Sequence, residues 1–333
     1  MRRVRSAVAI VALAVVAGAC APDRPSGSTG DRLAVAATVS PIANIVANIG
    51  GDRVRVTGLV PEGENSHEFE PRPTDARIIV EADVVIMNGL HLEEPTRVLA
   101  EANVRDGVKI VKLGDLTITP DEYIYDFSFP REQGDPNPHL WTNPPYAKRY
   151  AEIVTETLST LRPDDAAYFR RNLDAYAQRL DELDRLVREV TETVPAGNRK
   201  LLTYHDSFPY FAREYGWEII GAIQPSDLAE PTPREVARLI EQVRDEGVPA
   251  IFGSEVFPSP VLEQIARETG ARYVDELRDD DLPGDAGDHD HSFLAMMTFN
   301  FSTFMEALGG DVTPFEQLDT SNLHPESNAE YRG

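Results

Sequence analysis

Three histidines of this 333-residue chain stand in loops that join predicted secondary-structure elements. His67 follows the strand-like run 53–60, His205 follows the run 200–204, and His139 lies in a proline-rich loop. In open α/β sheets, ligands collect beyond the carboxyl ends of the strands. A single loop histidine is ordinarily a solvated surface residue, but three at such positions indicate a metal site. Neutral imidazole suits zinc, and an added carboxylate widens the choice towards manganese.

An acidic stretch near the C-terminal end of the chain offers the carboxylate. Residues 275–291 read DELRDDDLPGDAGDHDH, with His289 and His291 alternating with aspartates. One interpretation is a charged surface loop or a weak metal-collecting tract. The other is that one of its aspartates completes the histidine site. Spacing alone does not choose between them, nor does it select one aspartate.

The loop that carries His67 has a composition suited to presenting a side chain. Residues 64–77 read ENSHEFEPRPTDAR, with neither helical nor strand periodicity. Pro71 and Pro73 stiffen its exit into the next predicted helix, because each proline fixes its own φ angle. We expect this to limit how far the imidazole of His67 moves from its site.

The elements that would hold these loops alternate between strands and helices. Apolar runs of strand length begin near Leu33 and recur to residue 277, separated by helical patterns. This alternation predicts parallel sheets covered by helices. Residues 163–193 interrupt it with one helix of about 45 Å, at 1.5 Å per residue, whose apolar side chains recur every three or four positions. The sequence therefore predicts an α/β protein with two lobes joined by one long helix.

Composition and motifs exclude several classes of function. The formal net charge is −24 at pH 7, which disfavours nucleic acid as a partner because few cations remain to neutralise phosphates. The chain has no phosphate-binding P-loop, no dinucleotide fingerprint, no H-E-x-x-H helix and no nucleophile elbow. Its one cysteine, Cys20, lies in the leader, so a thiol nucleophile is excluded.

The N-terminus is typical of a secreted lipoprotein. Three arginines precede an apolar run from Ala7 to Ala17, followed by the sequence AGAC, which ends at Cys20. This order predicts a signal peptide over 1–19. AGAC resembles a bacterial lipobox, in which the cysteine becomes the lipidated first residue. Residues 20–32 are rich in proline, glycine and serine and predict a flexible tether.

Over about residues 33–310 the chain resembles the zinc- and manganese-binding solute-binding lipoproteins of bacterial ABC importers. Five motifs in order carry the resemblance: PEGENSHEFEPRPTD, NPHLWTNPPYAKRYAEIV, LLTYHDSFPYFAREYGW, PAIFGSEVFPSPVLEQIARETGA and SFLAMMTFN. The resemblance implies two α/β lobes bridged by a rigid helix, with one metal in the cleft between them. It also implies a membrane permease as partner, an extracytoplasmic protein anchored through Cys20, and no enzymatic activity.

Carried onto this sequence, the resemblance makes His67, His139 and His205 metal ligands. The family's aspartate ligand falls at Asp281 when counted from Met296, and at Asp280 when the following leucine is aligned instead. Imidazole at position 205 favours Zn²⁺, with Mn²⁺ as the alternative. The histidine-rich loop that many zinc-specific members carry is absent before His139.

Residues that hydrogen-bond to the metal ligands should orient the imidazoles, and three acids are candidates for this role: Glu68, Asp206 and Glu255.

We expect a monomer with four parts after the leader and tether: a first lobe over 33–162, the linking helix over 163–193, a second lobe over 194–310 and a polar tail over 311–333. Two competing functions are a zinc hydrolase, with Glu68 or Asp206 as general base, and a surface adhesin.

Overall fold

A computed structural model describes residues 32–126, 128–224, 231–254, 259–326 and 329–331. Position 20, the predicted lipidation site, and Glu255 therefore lie outside the described residues. The strands are β1 (Leu33–Ala37), β2 (Val54–Gly58), β3 (Val84–Met87), β4 (Lys109–Lys112), β5 (Lys200–Thr203), β6 (Glu218–Ala222), β7 (Ala250–Ser254), β8 (Arg272–Leu277) and β9 (Glu330–Tyr331).

Nine α-helices accompany these strands in the described part of the chain. They are α1 (Ser40–Gly50), α2 (Asp75–Glu81), α3 (Glu94–Asn103), α4 (Pro144–Leu161), α5 (Ala166–Thr193), α6 (Pro209–Tyr215), α7 (Pro233–Glu246), α8 (Pro260–Thr269) and α9 (Phe293–Ala307).

The strands form two separate sheets, one in each lobe. The first has the order β4-β3-β1-β2-β9 and the second the order β6-β5-β7-β8, and all pairs are parallel. The central strands are apolar almost throughout: every residue of β1, β3 and β7 is buried. Such runs are typical of parallel strands that helices cover on both faces. The predicted fold class is confirmed.

Helix α5 joins the two lobes. Its periodic side chains, among them Phe169, Tyr176 and Leu183, are buried as the spacing predicts. Near its start, Asn172 donates to the carbonyl of Ile49 in α1 at 2.9 Å. Near its end, Thr191 accepts from the indole of Trp217 in the second lobe at 3.2 Å. A helix of 28 residues, about 42 Å long, is therefore attached to both lobes.

Two helices of the first lobe, α3 and α4, were not among the predicted elements. Helix α4 has a clear start, because the side chain of Asn143 accepts from the amide of Tyr146 and prolines occupy its first positions. Helix α7 begins with a capping box, in which Thr232 and Glu235 exchange side-chain and backbone hydrogen bonds. Among the described residues, no helix has the length and apolar character needed to cross a membrane.

The polar tail, for which the sequence predicts no role, folds back onto the first lobe. It adds β9 to the edge of the first sheet, where Tyr331 pairs with Gly58 of β2. Before that, Asn322 accepts from the side-chain amides of Asn44 and Asn48 in α1. Hydrogen bonds between positions so far apart leave no periodic pattern, which is why the sequence gives no sign of them.

Candidate metal centre

The three predicted histidines come from three different loops. His67 lies in a turn after β2, and His205 stands two residues after β5. His139 immediately precedes the short 3₁₀ turn Leu140–Thr142 that leads into α4. Two of the loops therefore leave the carboxyl ends of parallel strands, one in each sheet, as the sequence predicts.

The structure brings the three imidazoles together. Their ligand atoms all lie within 4.8 Å of one another, and this is the one His/Cys/Asp/Glu group with metal-binding geometry among the described residues. The Nε2 atom of His139 lies 3.3 Å from that of His67 and 2.9 Å from that of His205. Tetrahedral zinc with Zn–N bonds of about 2.0–2.1 Å needs nitrogens about 3.3 Å apart. The spacing therefore suits a single small cation.

Side-chain amides fix the orientation of two of the rings. The Nδ1–H of His139 donates to Asn137 Oδ1 at 2.9 Å, and that of His205 donates to Gln224 Oε1 at 2.8 Å. An amide oxygen only accepts, so each Nδ1 carries the proton and each Nε2 keeps its lone pair. Both lone pairs face the cluster, as metal ligation requires.

The surroundings keep the imidazoles of His67 and His139 uncharged. Burial, followed by the neighbouring His205, lowers the pKa of His67 and of His139 well below the usual value of 6.5. Phe129 and Trp141 contribute to this setting: Phe129 lies 5.8 Å from the ring of His67, and Trp141 lies 5.0 Å from that of His139, between centroids. The rings of His67 and His139 are therefore neutral nitrogen donors at neutral pH.

The three consecutive aspartates after β8 have different partners. Asp281, the predicted fourth ligand, accepts from the backbone amide of Gly63 through both carboxylate oxygens at 2.9 Å. Burial raises the pKa of Asp280 to about 7, and its carboxyl bonds to Ser66, the residue before His67.

Asp279 is the aspartate of this group that lies beside the cluster. Burial raises its pKa, while the nearby His205 acts in the opposite direction, and its Oδ1 accepts from Ser207 Oγ at 2.5 Å. The structure does not bring Asp281 into the histidine group. Its carboxylate instead faces the backbone amide of Gly63.

Among the described residues, neither Glu68 nor Asp206 forms a hydrogen bond with the three imidazoles. Glu68 is exposed and accepts from Asn65, whose own side-chain oxygen accepts from the backbone amide of His67. Asp206 is fully buried, and burial followed by the charge of Asp126 raises its pKa well above the usual value.

The acidic tract at 285–291 also lies outside the histidine group. Asp288 accepts from the backbone amide of Asp285 at 3.0 Å. The buried His291 donates through Nδ1 to the carbonyl of Pro283, and its Nε2 lies 3.5 Å from Glu62. These contacts account for the order of the tract without a ligand.

Asn137 and Gln224 perform the orienting role that the sequence assigns to acids. Asn137 is fully buried, and its Nδ2 donates to Asp126 at 3.0 Å and to the carbonyl of Asp206 at 2.7 Å. Only its position two residues before His139 marks Asn137 in the sequence. Gln224 lies 19 residues from His205, and no local signal identifies it.

Two α/β lobes, a long bridging helix and a largely buried cluster of three imidazoles define a metal-binding solute-binding protein. Comparison with known proteins supports this class. The profile of the family described as zinc-uptake complex component A, periplasmic (ZnuA), matches residues 35–307. The chain belongs to this family, whose members are solute-binding proteins of ABC importers and not enzymes.

Individual relatives and solved structures cover nearly the whole chain. The manganese-binding lipoprotein MntA of Halalkalibacterium halodurans is 29% identical over 310 residues, which cover 92% of this chain and 99% of the relative. The manganese ABC transporter substrate-binding lipoprotein PsaA of Streptococcus pneumoniae is 26% identical over 314 residues, which cover 92% of this chain and 99% of the relative.

Among solved structures, the periplasmic zinc-binding protein TroA of Treponema pallidum superposes with a TM-score of 0.76 at 29% identity, covering 84% of this chain and 100% of that one. A manganese-bound periplasmic metal-binding protein of Candidatus Liberibacter asiaticus superposes with a TM-score of 0.72 at 26% identity, covering 83% of this chain and 100% of that one. The similar proteins thus include both zinc and manganese binders.

Proposed function

We propose that this protein captures Zn²⁺ outside the cytoplasm at His67, His139 and His205 and delivers it to an ABC-type permease. One observation carries the proposal: three imidazoles from both lobes converge, and hydrogen bonds at Nδ1 orient two of them with Nε2 towards the centre. A cation bound there would link the lobes directly. The long helix would limit their hinge motion, so release would proceed through local movement of the loops.

The choice of zinc rests on the donor set. Imidazole nitrogen is a better ligand for Zn²⁺ than for Mn²⁺, which prefers oxygen. His205 therefore favours zinc, because with it three of four proposed donors are nitrogens. Mn²⁺ is the second candidate, since two of the similar lipoproteins are named for manganese.

We propose that the fourth donor is a carboxylate of the pair Asp279–Asp280. The contacts support the pair in different ways: the carboxyl of Asp279 lies near His205, and that of Asp280 bonds to Ser66 beside His67. Either carboxylate would bring an oxygen from the second lobe to the histidines. Four protein donors would close a tetrahedral site and leave no position for the water that hydrolysis needs.

The N-terminal segment supports an anchored location. We propose cleavage after residue 19, lipidation of Cys20 and a flexible tether over 20–32, as the lipobox-like sequence predicts. The folded body would then remain near the membrane, where a permease could accept the metal. Labelling of cells with a fatty acid analogue, compared between the natural chain and Cys20→Ala, tests the anchor.

Metal analysis tests the function. Protein purified without added metal and then loaded with one equivalent of Zn²⁺ should retain it through gel filtration, and Mn²⁺ should compete poorly. Alanine variants of His67, His139 and His205 should each lose retention. His91 is the matched control, because it is exposed and pairs with Glu94 and Asp135 away from the cluster. Stoichiometric metal binding that all three alanine variants retained would refute the site.

A further inference from the structure

The C-terminal segment beyond α9 lies outside the stretch that matches the family, which ends at residue 307. Its described residues run from the end of the second lobe, across α5, to the first lobe. Arg179 of α5 pairs with Asp319 at 2.5 Å. Further along, the amide of Leu323 donates to Asn48 of α1 at 2.7 Å. The segment is thus attached at several points before it reaches β2.

Its last described residue, Tyr331, packs directly on the backbone of β2. Tyr331 pairs with Gly58, the final residue of that strand. A Cβ atom placed on Gly58 would lie 1.9 Å from the tyrosine ring. Only glycine at this position therefore leaves room for the ring. The ring lies at the carboxyl end of β2, where the loop to His67 begins.

At that place the first lobe meets the aspartates of the second lobe. Ser40 of α1 donates to the carbonyl of Asp280 at 2.5 Å, and the amide of Gly63 donates to the carboxylate of Asp281. The hydroxyl of Tyr331 lies near Ser40 and the carboxylates of Asp281 and Asp280. Burial first, and then the charges of Glu62, Asp281 and Asp280, raise the pKa of this hydroxyl, while its hydrogen bond with Ser40 acts in the opposite direction.

We propose that Tyr331 is a positioning residue for the metal site, whose ring holds residues 279–281 against the first lobe and thereby slows metal release. The inference rests on the proposed function, because it requires a bound metal that both lobes share. The mechanism is steric and local. Release needs the aspartate segment to separate from the loop over 59–66, and a half-buried aromatic ring at that junction opposes the separation. Without the ring, a cavity and water would replace its contacts.

Tyr331→Ala tests the proposal in the full-length mature chain. Protein loaded with Zn²⁺ is mixed with excess chromophoric chelator, and the rate of metal release is followed at fixed pH. We expect Tyr331→Ala to release zinc about ten-fold faster, in the range found when groups around metal ligands are removed. Tyr331→Phe should restore the natural rate to within about two-fold, because the ring supplies the packing.

Gly58→Ala gives a second test from the opposite side of the contact. Its Cβ would displace the ring while the sequence of the tail stays natural, so release should accelerate as in Tyr331→Ala. The double variant should be no faster than either single variant, because both remove the same contact. In a chain that ends at residue 326, Gly58→Ala should have no further effect on the rate.

The outcomes separate this inference from the function on which it rests. If the natural protein retains no zinc, the proposed function fails. If it retains zinc, and Tyr331→Ala and Gly58→Ala both release it at the natural rate, the role of Tyr331 is refuted. A lower melting temperature of the metal-free variants with an unchanged release rate would also refute it, since that pattern reports structural support alone.

Discussion

Asn137 accepts the Nδ1–H of His139 at 2.9 Å, and this bond fixes which nitrogen of the ring faces the metal cluster. We predict that Asn137→Ala lowers zinc affinity about 10–100-fold, because the ring loses its orienting partner. Titration against a competing chelator measures the change.

Asn143 is the matched control for that variant. It is also a buried asparagine, and its Nδ2 donates to the carbonyl of Tyr210 at 3.0 Å, with no bond to a histidine. Asn143→Ala should lower the melting temperature without changing zinc affinity by more than about two-fold, since it removes a cap rather than a ligand contact. Equal loss of affinity in both variants would contradict the orienting role of Asn137.

His205→Glu should shift the preference between metals. A carboxylate in place of the imidazole gives the site a second oxygen donor, which suits Mn²⁺ better than Zn²⁺. We expect the ratio of zinc to manganese affinity to fall at least about ten-fold, from the different ligand preferences of the two ions. Calorimetric titration with each metal gives the ratio. An unchanged ratio would show that the residue at 205 does not determine selectivity.

Asparagine variants of the three aspartates identify the carboxylate donor. We expect either Asp279→Asn or Asp280→Asn to weaken zinc binding about 100-fold, because an amide oxygen is a much poorer ligand than a carboxylate. Asp281→Asn should lower zinc affinity less than about ten-fold, the lower limit for residues that only hydrogen-bond to metal ligands. Its carboxylate accepts from Gly63 instead. The largest loss at Asp281 would instead support the register counted from Met296.

The buried carboxyl of Glu93 should make the stability of the metal-free protein depend on pH. Burial raises its pKa from 4.5 to about 7, although Thr38, Asn88 and Gly89 donate hydrogen bonds to it. Folding therefore favours the protonated form. The stability of the folded protein that depends on protonated Glu93 is fully present below pH 4.5 and is lost as the pH rises through about 7. At 1.36 kcal/mol per pKa unit, the loss is about 3 kcal/mol.

Urea unfolding of the metal-free protein between pH 5 and 8 measures this dependence. Glu93→Gln cannot titrate, so the difference in unfolding free energy between it and the natural protein should change with pH in that interval. Glu94→Gln is the control, because Glu94 is half-exposed and the hydrogen bond from Arg97 lowers its pKa. A difference that stayed constant with pH for Glu93→Gln would exclude the buried carboxyl as the cause.

Much of the fold could be predicted because its signals are local. The eight strands of the two lobes that run from residue 33 to 277 coincide with predicted apolar runs, and the periodicity of α5 identified the side chains that it buries. Helix α3 was missed because only Thr96 and Ala100 of its ten residues are buried, which leaves no clear apolar periodicity. The edge strand β9 was missed because two residues carry no recognisable strand pattern.

The candidate site likewise has residues that the local sequence identifies and residues that only distant contacts identify. Histidine is a rare residue with specific chemistry, so its place after a strand already indicates a ligand at His67 and His205. The aspartates are consecutive and chemically identical, so one-residue shifts decide which of them faces the cluster. That choice depends on the partners Gly63, Ser66 and Ser207, which belong to other segments of the chain.

The sequence by itself determined the α/β class, the long bridging helix and the three histidines, because periodicity and residue chemistry are properties of short segments. The tertiary structure decided what lies around them: the amides of Asn137 and Gln224 behind the rings, the different partners of the three aspartates, and the return of Tyr331 to Gly58. Each of these is a contact between segments far apart in the chain. The packing of both lobes sets such contacts, and no short segment encodes them.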